Sequence, residues 1–240
     1  MKNLIIIPSR LESSRLPNKP LADINGTSMI VHVFKRAKEV GIADVLVAAG
    51  NREIKNAIES IGGDVILTNP DHLSGSDRIY EALCKYDKNM IFDNVINLQG
   101  DLPNIKKEAL MKTISLLNDS NADISTIGVK ISSSKELLNP NVVKAYIKNI
   151  MDNNYVEDFG RIFDDDKKEY LYHHIGVYGY KRRSLETFIN LKQSETEIDR
   201  KLEQMRAIDN GMKIVFGLVN ELPISVDTKE DLEHVRRIME

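Results

Sequence analysis

Short apolar runs and amphipathic segments alternate along the first half of the chain. The run NLIIIP at 3–8 is uninterrupted and ends at a proline, which is typical of a buried strand in a parallel sheet. The segment SMIVHVFKRAKEVG at 28–41 has apolar residues at helical spacing and a glycine where a helix would stop. The alternation continues to about residue 130. We therefore predict an α/β fold, with a mostly parallel Rossmann-like sheet and helices on both faces.

The pattern changes at about residue 140. The apolar runs NVVKAYI, YLYHH and IGVYGY are short and surround the acidic stretch DDDKKE. We predict a small β-rich insertion around 140–190, within a single domain that spans 1–240. Beyond it, ETEIDRKLEQMRAIDNG at 195–211 has the pattern of a helix.

Composition narrows the class of protein. The 240 residues carry a formal net charge of −3, which argues against a protein that coats nucleic acid or an anionic membrane surface. No apolar run has the length of a signal peptide core or a membrane span. Cys84 is the only cysteine, and we expect it to be a buried helix residue. These features predict a cytoplasmic protein.

Basic residues and prolines crowd the loop after the first strand, PSRLESSRLPNKPL at 8–21. Arg10, Arg15 and Lys19 are interrupted by three prolines, which stiffen the backbone. Ligands of open parallel sheets bind beyond the carboxyl ends of the strands, which is where this loop belongs. Guanidinium and ammonium groups bind phosphate oxygens, so the loop predicts a triphosphate site, with a solvated basic loop as the alternative. It contains neither of the common glycine-rich nucleotide motifs.

Two aspartates follow other strand-like segments. Asp101 ends NLQGD, and Asp227 follows an apolar run and precedes the last predicted helix. Carboxylates at this edge of a sheet can hold Mg²⁺, which takes oxygen ligands. The simpler alternatives are a turn for Asp101 and a helix N-cap for Asp227. In DHLSGSDRI at 71–79, small residues allow close approach of a base or ribose, and Ser76 or Asp77 could cap the next helix; the two interpretations are compatible.

Taken together, these segments resemble the 3-deoxy-manno-octulosonate (Kdo) cytidylyltransferase family, also called CMP-Kdo synthetases. The first loop, NLQGD, HHIGVYGYKR, LEQMRAIDNG and SVDTKEDLEHV carry the resemblance, in order over nearly the whole chain. The resemblance implies a fold of the nucleotide-diphospho-sugar transferase type. It also implies an enzyme that couples CTP to Kdo for lipopolysaccharide synthesis and releases diphosphate, with Mg²⁺ as cofactor and a homodimer as the assembly.

The resemblance further implies roles for individual residues. The catalytic set would be Arg10, Arg15, Lys19 and Asp101, and the metal ligands would be Asp101 and Asp227. The nucleotide-binding set would be Pro8, Ser9, Arg10, Arg15, Lys19, Ser74, Gly75, Arg78 and Gln99. The sugar-binding set would be Gln99, Arg161, His174, Tyr178, Glu203 and Gln204. From the residues alone, His174 and Tyr178 could simply pack in the core. Glu203 and Gln204 could lie on the solvated face in the middle of a helix.

Two segments depart from the family pattern. Members usually carry FSR followed shortly by IP, where this chain reads DFGRIFDDDKKEY, so Arg161 stands in rewritten surroundings. The usual ATD after the second strand is replaced by Ala48, Ala49 and Gly50, which removes a carboxylate. Two alternatives to a Kdo-activating enzyme therefore stay open: a CMP-sugar synthetase for 8-amino-Kdo or a nonulosonic acid, and a catalytically silent homologue that binds CTP.

Overall fold

The computed structural model describes residues 1–13, 15–150 and 154–240. The chain divides into two compact units, Met1–Met111 with Pro223–Glu240, and Lys112–Leu222. The insertion predicted around 140–190 falls within the second unit.

Strands and helices alternate in the first half of the chain, as the hydrophobic pattern predicts. The strands are β1 (Asn3–Ser9), β2 (Asp23–Ile24), β3 (Thr27–Ser28), β4 (Asp44–Ala49), β5 (Asp64–Leu67), β6 (Asn94–Asn97), β7 (Ile124–Lys130), β8 (Lys144–Tyr146), β9 (Asp158–Gly160), β10 (Leu171–Lys181) and β11 (Ile214–Leu218). The helices are α1 (Met29–Lys38), α2 (Arg52–Glu59), α3 (Gly75–Tyr86), α4 (Lys107–Asp119), α5 (Ser134–Leu138), α6 (Arg182–Asn190), α7 (Glu195–Arg200), α8 (Met205–Asp209) and α9 (Lys229–Ile238). Among the described residues, no helix is both long and apolar enough to cross a membrane.

The sheet of the first unit is parallel throughout, in the order β6-β1-β4-β5. Every residue of β1 is buried, because helices cover both faces of a parallel sheet. In the register, Ile5 lies opposite Val45 of β4 and Ile96 of β6. This arrangement confirms the predicted α/β class and brings the loops after β1 and β6 to one edge of the sheet.

A small apolar cluster holds the loop after β1 and the returning C-terminal segment together. The hairpin β2–β3 turns through Asn25 and Gly26, whose φ values of 50° and 85° suit a tight two-residue turn. The buried members of the cluster are Leu16, Ile24, Met29, Val226, Leu232 and Val235. Because Leu16 belongs to the cationic loop and Val226 directly precedes Asp227, burial of this cluster fixes both sides of the predicted site.

The second unit is mainly antiparallel. Strand β7 pairs in parallel with β11 and antiparallel with β10, which in turn pairs antiparallel with β8. The runs YLYHH and IGVYGY, which we expected as separate strands, form the single strand β10, and its register shifts between Ile175 and Tyr178. The acidic stretch forms a 3₁₀ helix, Asp165–Tyr170.

The segment 195–211 forms two short helices, so the prediction of one helix is wrong. Lys201 has a left-handed φ of 53° and ends α7, and its N–H donates to the carbonyl of Glu197. Arg206 of α8 then reaches back to Glu197 with a bidentate, buried ion pair at 2.8 and 2.6 Å. A two-point guanidinium contact offsets the loss of helical bonds at the break. Glu203 therefore lies between the helices rather than in the middle of one.

Cys84 is exposed, contrary to expectation. The core face of α3 is formed by Ile79, Ala82 and Leu83, which are spaced as one side of a helix. Cys84 lies one residue beyond this face and points to solvent.

Candidate active site

A cleft of about 280 Å³ opens in the first unit where the loops after β1 and β6 and the start of α3 meet. It is lined by Pro8, Ser9, Arg10, Glu12, Ser13, Lys19, Pro20, His72, Leu73, Ser74, Gly75, Arg78, Gln99, Gly100 and Asp101. The structure thus brings together the predicted nucleotide-binding residues other than Arg15. Sequence reasoning missed the other lining residues, among them Glu12, His72 and Leu73, which lie within two positions of predicted residues but belong to no charge pattern that singles them out.

Lys19 lies between the two predicted metal ligands. Its Nζ donates to Oδ2 of Asp101 at 2.8 Å and to Oδ1 of Asp227 at 3.1 Å, and Arg15 contacts the same Asp227 oxygen at 3.2 Å. The backbone N–H of Val226 donates to the carbonyl of Asp101 at 3.0 Å, which joins the two aspartate segments. Burial alone would lower the pKa of Lys19, but attraction by Asp101 and then Asp227 outweighs it and raises the pKa above its ordinary value. Lys19 is therefore a charged ammonium held by two carboxylates.

Asp227 is not the N-cap of the last helix, so that alternative is wrong. Thr228 caps α9, since its side chain accepts from the N–H of Asp231 at 3.2 Å and the Asp231 carboxylate accepts from the N–H of Thr228 at 2.9 Å. This reciprocal arrangement satisfies the first amides of the helix. The Asp227 carboxylate is left to face the cations Lys19 and Arg15.

The aspartate pair fits a hard divalent cation. One carboxylate oxygen of Asp101 and one of Asp227 lie 2.8 and 3.1 Å from Nζ of Lys19, so the two oxygens already share one cation. Mg²⁺ is commonly bound by one or two carboxylates, with water and substrate phosphates completing its shell. Across the described ranges 1–13, 15–150 and 154–240, no group of three or more His, Cys, Asp or Glu side chains could hold a metal ion. A metal at this pair would thus depend on phosphate or water oxygens.

Arg10 is oriented by the loop that precedes α3. Its Nη1 donates to the carbonyl of His72 at 3.2 Å, and the His72 ring in turn pairs with Glu81 of α3. Burial would raise the pKa of Glu81, but contacts with Lys85, the N–H of Asn69 and His72 lower it to about 2. The ionised Glu81 therefore anchors the loop on which Arg10 rests. Glu81 lies nine positions after His72 in the chain, and no sequence motif links the two residues.

Ser9 presents an unsatisfied polar atom at the cleft. The residue is 6% exposed, and in the part of the chain that the structure describes its Oγ has no hydrogen-bond partner. A buried hydroxyl without a partner costs free energy, so such a group is a suitable donor to a ligand.

Arg78 is a buried cation, 2% exposed, at the base of the cleft. It donates to Oγ1 of Thr68 at 2.7 Å and to the carbonyls of Asn69 and Pro70 at 3.0 and 3.1 Å. Burial, and then repulsion from Arg10, lower its pKa. A Cβ atom added at Gly50 would lie 2.7 Å from Nη1 of Arg78. Gly50, one of the departures from the family pattern, therefore leaves the space that this guanidinium occupies.

Ser74 and Gln99 both make local contacts. Ser74 is the N-cap of α3, where its Oγ accepts from the N–H of Asp77 at 3.0 Å and donates to that carboxylate at 2.9 Å. The segment 71–79 thus caps the helix through Ser74, and the expectation that Ser76 or Asp77 is the cap is wrong. Gln99 donates from Nε2 to Oδ1 of Asn97 at 3.1 Å, which orients its amide beside Gly75.

His174, in the second unit, is held as a neutral imidazole. Burial lowers its pKa to about 3. Its Nε2 lies 2.9 Å from Oγ1 of Thr126, and that hydroxyl donates to the carbonyl of Val177 at 2.8 Å. Since the hydroxyl has one proton, Nε2 must donate to Oγ1, which makes Nδ1 the acceptor of this histidine. The ring packs edge-on against Phe159, with centroids 5.0 Å apart.

Tyr178 packs beside His174, and Glu203 lies near Tyr178. The Tyr178 ring centroid is 5.3 Å from that of His174, and the pKa of Tyr178 is raised by burial and then by the charges of Tyr180 and Glu203. The rings of His174 and Tyr178 thus pack against each other, which is the alternative that the residues alone indicated for this histidine and this tyrosine. Gln204 is half-buried at the N-cap position of α8. Three predicted sugar residues are thus gathered in one region of the second unit.

Arg161 lies at a separate cleft of the second unit, about 430 Å³ in volume. It is lined by Asp158, Gly160, Arg161, Ile162, Phe163, Asp164, Lys167, Asp199 and Arg200. Arg161 donates from Nη1 to the carbonyl of Arg200 at 2.7 Å, and its own carbonyl accepts from the buried Lys144 at 2.6 Å. No other predicted sugar residue is among the described residues that line this cleft.

Comparison with known proteins extends over both units. The profile of a family described as cytidylyltransferase matches residues 4–214. The 3-deoxy-manno-octulosonate cytidylyltransferase of Bradyrhizobium sp. (strain ORS 278) is 45% identical over 242 residues, covering 99% of this chain and 97% of that protein. The protein of the same name from Paramagnetospirillum magneticum (strain ATCC 700264 / AMB-1) is 41% identical over 239 residues, covering 98% and 97%. A solved CMP:2-keto-3-deoxy-manno-octonic acid synthetase, complexed with CTP, has a TM-score of 0.91 and 35% identity, covering 100% of this chain and 98% of its own.

Proposed function

This chain belongs to the 3-deoxy-manno-octulosonate cytidylyltransferase family, and from that premise we propose that it couples CTP to Kdo. The products are CMP-Kdo and diphosphate, and CMP-Kdo serves lipopolysaccharide synthesis. The observation that carries the proposal is the group of Lys19, Asp101 and Asp227 at the edge of a cationic cleft. Such a group suits a polyphosphate and the metal that accompanies it.

In the reaction, the anomeric hydroxyl oxygen of Kdo attacks the α-phosphorus of CTP. A new P–O bond forms, the bond from the α-phosphorus to the oxygen that bridges to the β-phosphorus breaks, and the hydroxyl proton passes to solvent or to the departing diphosphate. Phosphoryl-type transfer needs little covalent help, so the protein acts by positioning and by stabilising charge. Arg10, Arg15 and Lys19 would stabilise the charge that develops on the diphosphate.

The proposed cofactor is Mg²⁺, held by Asp101 and Asp227. When bound, it would polarise the α-phosphate and lower the pKa of the attacking hydroxyl. The ion would compete with the Lys19 ammonium for the carboxylate oxygens, which leaves Lys19 to bind phosphate.

The proposed sugar site uses Gln99, Arg161, His174, Tyr178, Glu203 and Gln204. The neutral state of His174 supports this role, because Nδ1 can accept a hydrogen bond from a sugar hydroxyl without adding charge. Arg161 is proposed as the partner of the sugar carboxylate, although in this chain its guanidinium contacts the carbonyl of Arg200. We further propose a homodimer in the cytoplasm, the compartment that supplies CTP; analytical ultracentrifugation would test the dimer.

The proposal is tested by Mg²⁺-dependent diphosphate release from CTP with Kdo, 8-amino-Kdo and N-acetylneuraminate offered separately. Release with Kdo is expected, and release with UTP in place of CTP should be much slower. Diphosphate release only with another acid sugar would support the proposed cytidylyl transfer but show that Kdo is not the substrate. Binding of CTP without release from any of the three would favour the catalytically silent homologue.

A further inference from the structure

Helix α2 begins at a residue whose side chain does not cap it. Asn51 has the extended backbone of an N-cap, yet in the part of the chain that the structure describes its side chain bonds to no amide of the helix. Asparagine is one of the preferred N-cap residues, so the side chain forgoes a contact that it would ordinarily make. Its polar atoms point instead to the loop after β1.

Both ends of the Asn51 amide are used in that loop. Oδ1 accepts from the N–H of Leu11 at 2.9 Å, and Nδ2 donates to Oε1 of Glu12 at 3.3 Å. Next to it, the N–H of Gly50 donates to the carbonyl of Ser9 at 2.8 Å. Ser9, on one side of Arg10, and Leu11 and Glu12, on the other side, are thus tied to the junction between β4 and α2.

The junction also lies directly beside two cations. The position that a Cβ of Gly50 would take lies 3.3 Å from Cβ of Arg10 and 2.7 Å from Nη1 of Arg78. Arg10 and Arg78 repel one another, which contributes to the lowered pKa of Arg78. Glu12 lies near both arginines and stays ionised, because its own backbone N–H, Asn51 and the two arginines together hold its pKa below the ordinary value. The repulsion between the arginines opposes the approach of Arg10 to Arg78, and the contacts of Asn51 with Leu11 and Glu12 act against it.

We infer that Asn51 is a positioning residue of the nucleotide site: it fastens Leu11 and Glu12 so that Arg10 is held ready for the phosphates of CTP. Asn51 does not line the cleft itself, so it acts through Arg10. The inference rests on the proposed function for the identity of the ligand, whereas the fastening of the loop does not depend on it. Pre-ordering a cation reduces the cost of ordering it on binding, so the effect should appear in CTP affinity more than in turnover.

The test compares Asn51→Ala with Asn56→Ala, which removes the same amide from the exposed side of the same helix. Asn51→Ala should raise the KM for CTP about fivefold to tenfold and change kcat less than twofold, as expected for one net hydrogen bond. Asn56→Ala should match the parent protein. An unchanged KM in a folded Asn51→Ala protein would overturn the inference.

A second variant separates the two contacts of Asn51. Asn51→Asp keeps the acceptor for Leu11 but turns a carboxylate oxygen toward Glu12, so the KM for CTP should rise. Adding Glu12→Gln supplies an amide donor opposite that oxygen, and the double variant should have a lower KM than Asn51→Asp alone. If Glu12→Gln has the same effect in both backgrounds, the two side chains are not coupled and the inference fails.

Hydrogen exchange of the Leu11 amide tests the fastening without any substrate. Exchange should be about fivefold to tenfold faster in Asn51→Ala and unchanged in Asn56→Ala. If the parent protein makes no CMP-Kdo while Leu11 exchange follows this pattern, the proposed function is wrong and the fastening stands. Equal Leu11 exchange in all three proteins would overturn the inference whatever the activity.

Discussion

The substitution Lys19→Met removes the ammonium that separates Asp101 from Asp227 and keeps most of the side-chain volume. The Lys19 side chain is 16% exposed, and the two carboxylates are 24% and 37% exposed. Exposed ion pairs contribute about 0.2 to 1 kcal/mol, and breaking a fully buried pair costs about 3 to 5 kcal/mol. For this partly buried group we expect a loss of about 2 kcal/mol in the free energy of unfolding, which for a chain of this size lowers Tm by about 4 to 8 °C.

The matched control for this experiment is Lys55→Met. Lys55 pairs with Glu59 at 3.4 Å along α2, where the side chains are 35% and 52% exposed. Such a helical surface pair contributes about 0.3 to 0.5 kcal/mol, so its loss should lower Tm by about 1 to 2 °C or less. Thermal unfolding followed by circular dichroism would compare both variants with the parent protein.

Mg²⁺ distinguishes the cluster from an ordinary ion pair. In Lys19→Met the two carboxylates lose the cation that they share, and only Asp227 keeps a cationic partner, Arg15, so millimolar Mg²⁺ should raise the Tm of this variant more than that of the parent. The kcat/KM for CTP should fall about a hundredfold or more, because the ammonium acts on developing phosphate charge. Equal Tm losses in Lys19→Met and Lys55→Met, with equal responses to Mg²⁺, would refute the reasoning.

Three further outcomes are expected. Asp101→Asn should lower kcat by about two decades, because it weakens a metal site that acts in the transition state; near-normal turnover of the folded variant would remove Asp101 from that site. Burial lowers the pKa of His174 in the folded chain to about 3, from the ordinary 6.5. Because protonation then favours the unfolded chain, the folded state has its full stability from this residue above pH 6.5 and loses it as the pH falls toward 3. Between pH 7 and pH 5 the free energy of unfolding, measured by chemical denaturation, should fall by about 2 kcal/mol because of His174, and this contribution should vanish in His174→Asn. Gly50→Val should displace the Arg78 guanidinium and cost about 1 to 3 kcal/mol, and an unchanged Tm with unchanged CTP affinity would show that the space beside Gly50 is not needed.

Much of the first unit could be predicted from its sequence. Uninterrupted apolar runs such as β1 and the helical spacing in α1 give strong periodic signals, and parallel topology follows from their alternation. The cationic loop was informative because its charges contrast with the composition of the chain. The pairing of Lys19 with the two aspartates was not predictable, since it joins positions 82 and 208 residues apart.

The second unit was harder to predict for physical reasons. Strand β10 contains a register irregularity between Ile175 and Tyr178, which breaks the period of two and suggests two strands. The break between α7 and α8 depends on the left-handed backbone of Lys201 and on the buried ion pair of Glu197 and Arg206. No glycine or proline marks this break in the sequence. The neutral state of His174 depends on burial of its ring, which packs against Phe159 of another strand, and burial of that kind is not visible in the local sequence.

The most direct test of the proposed chemistry follows the oxygen that Kdo contributes. Kdo freshly labelled with ¹⁸O at the anomeric hydroxyl would be incubated with CTP, Mg²⁺ and the protein, and CMP-Kdo and diphosphate would be analysed by mass spectrometry. The account predicts that the label remains in CMP-Kdo as the oxygen bridging sugar and phosphorus, and that diphosphate is unlabelled. Label in the diphosphate, or formation of diphosphate without CMP-Kdo, would contradict attack of this hydroxyl on the α-phosphorus.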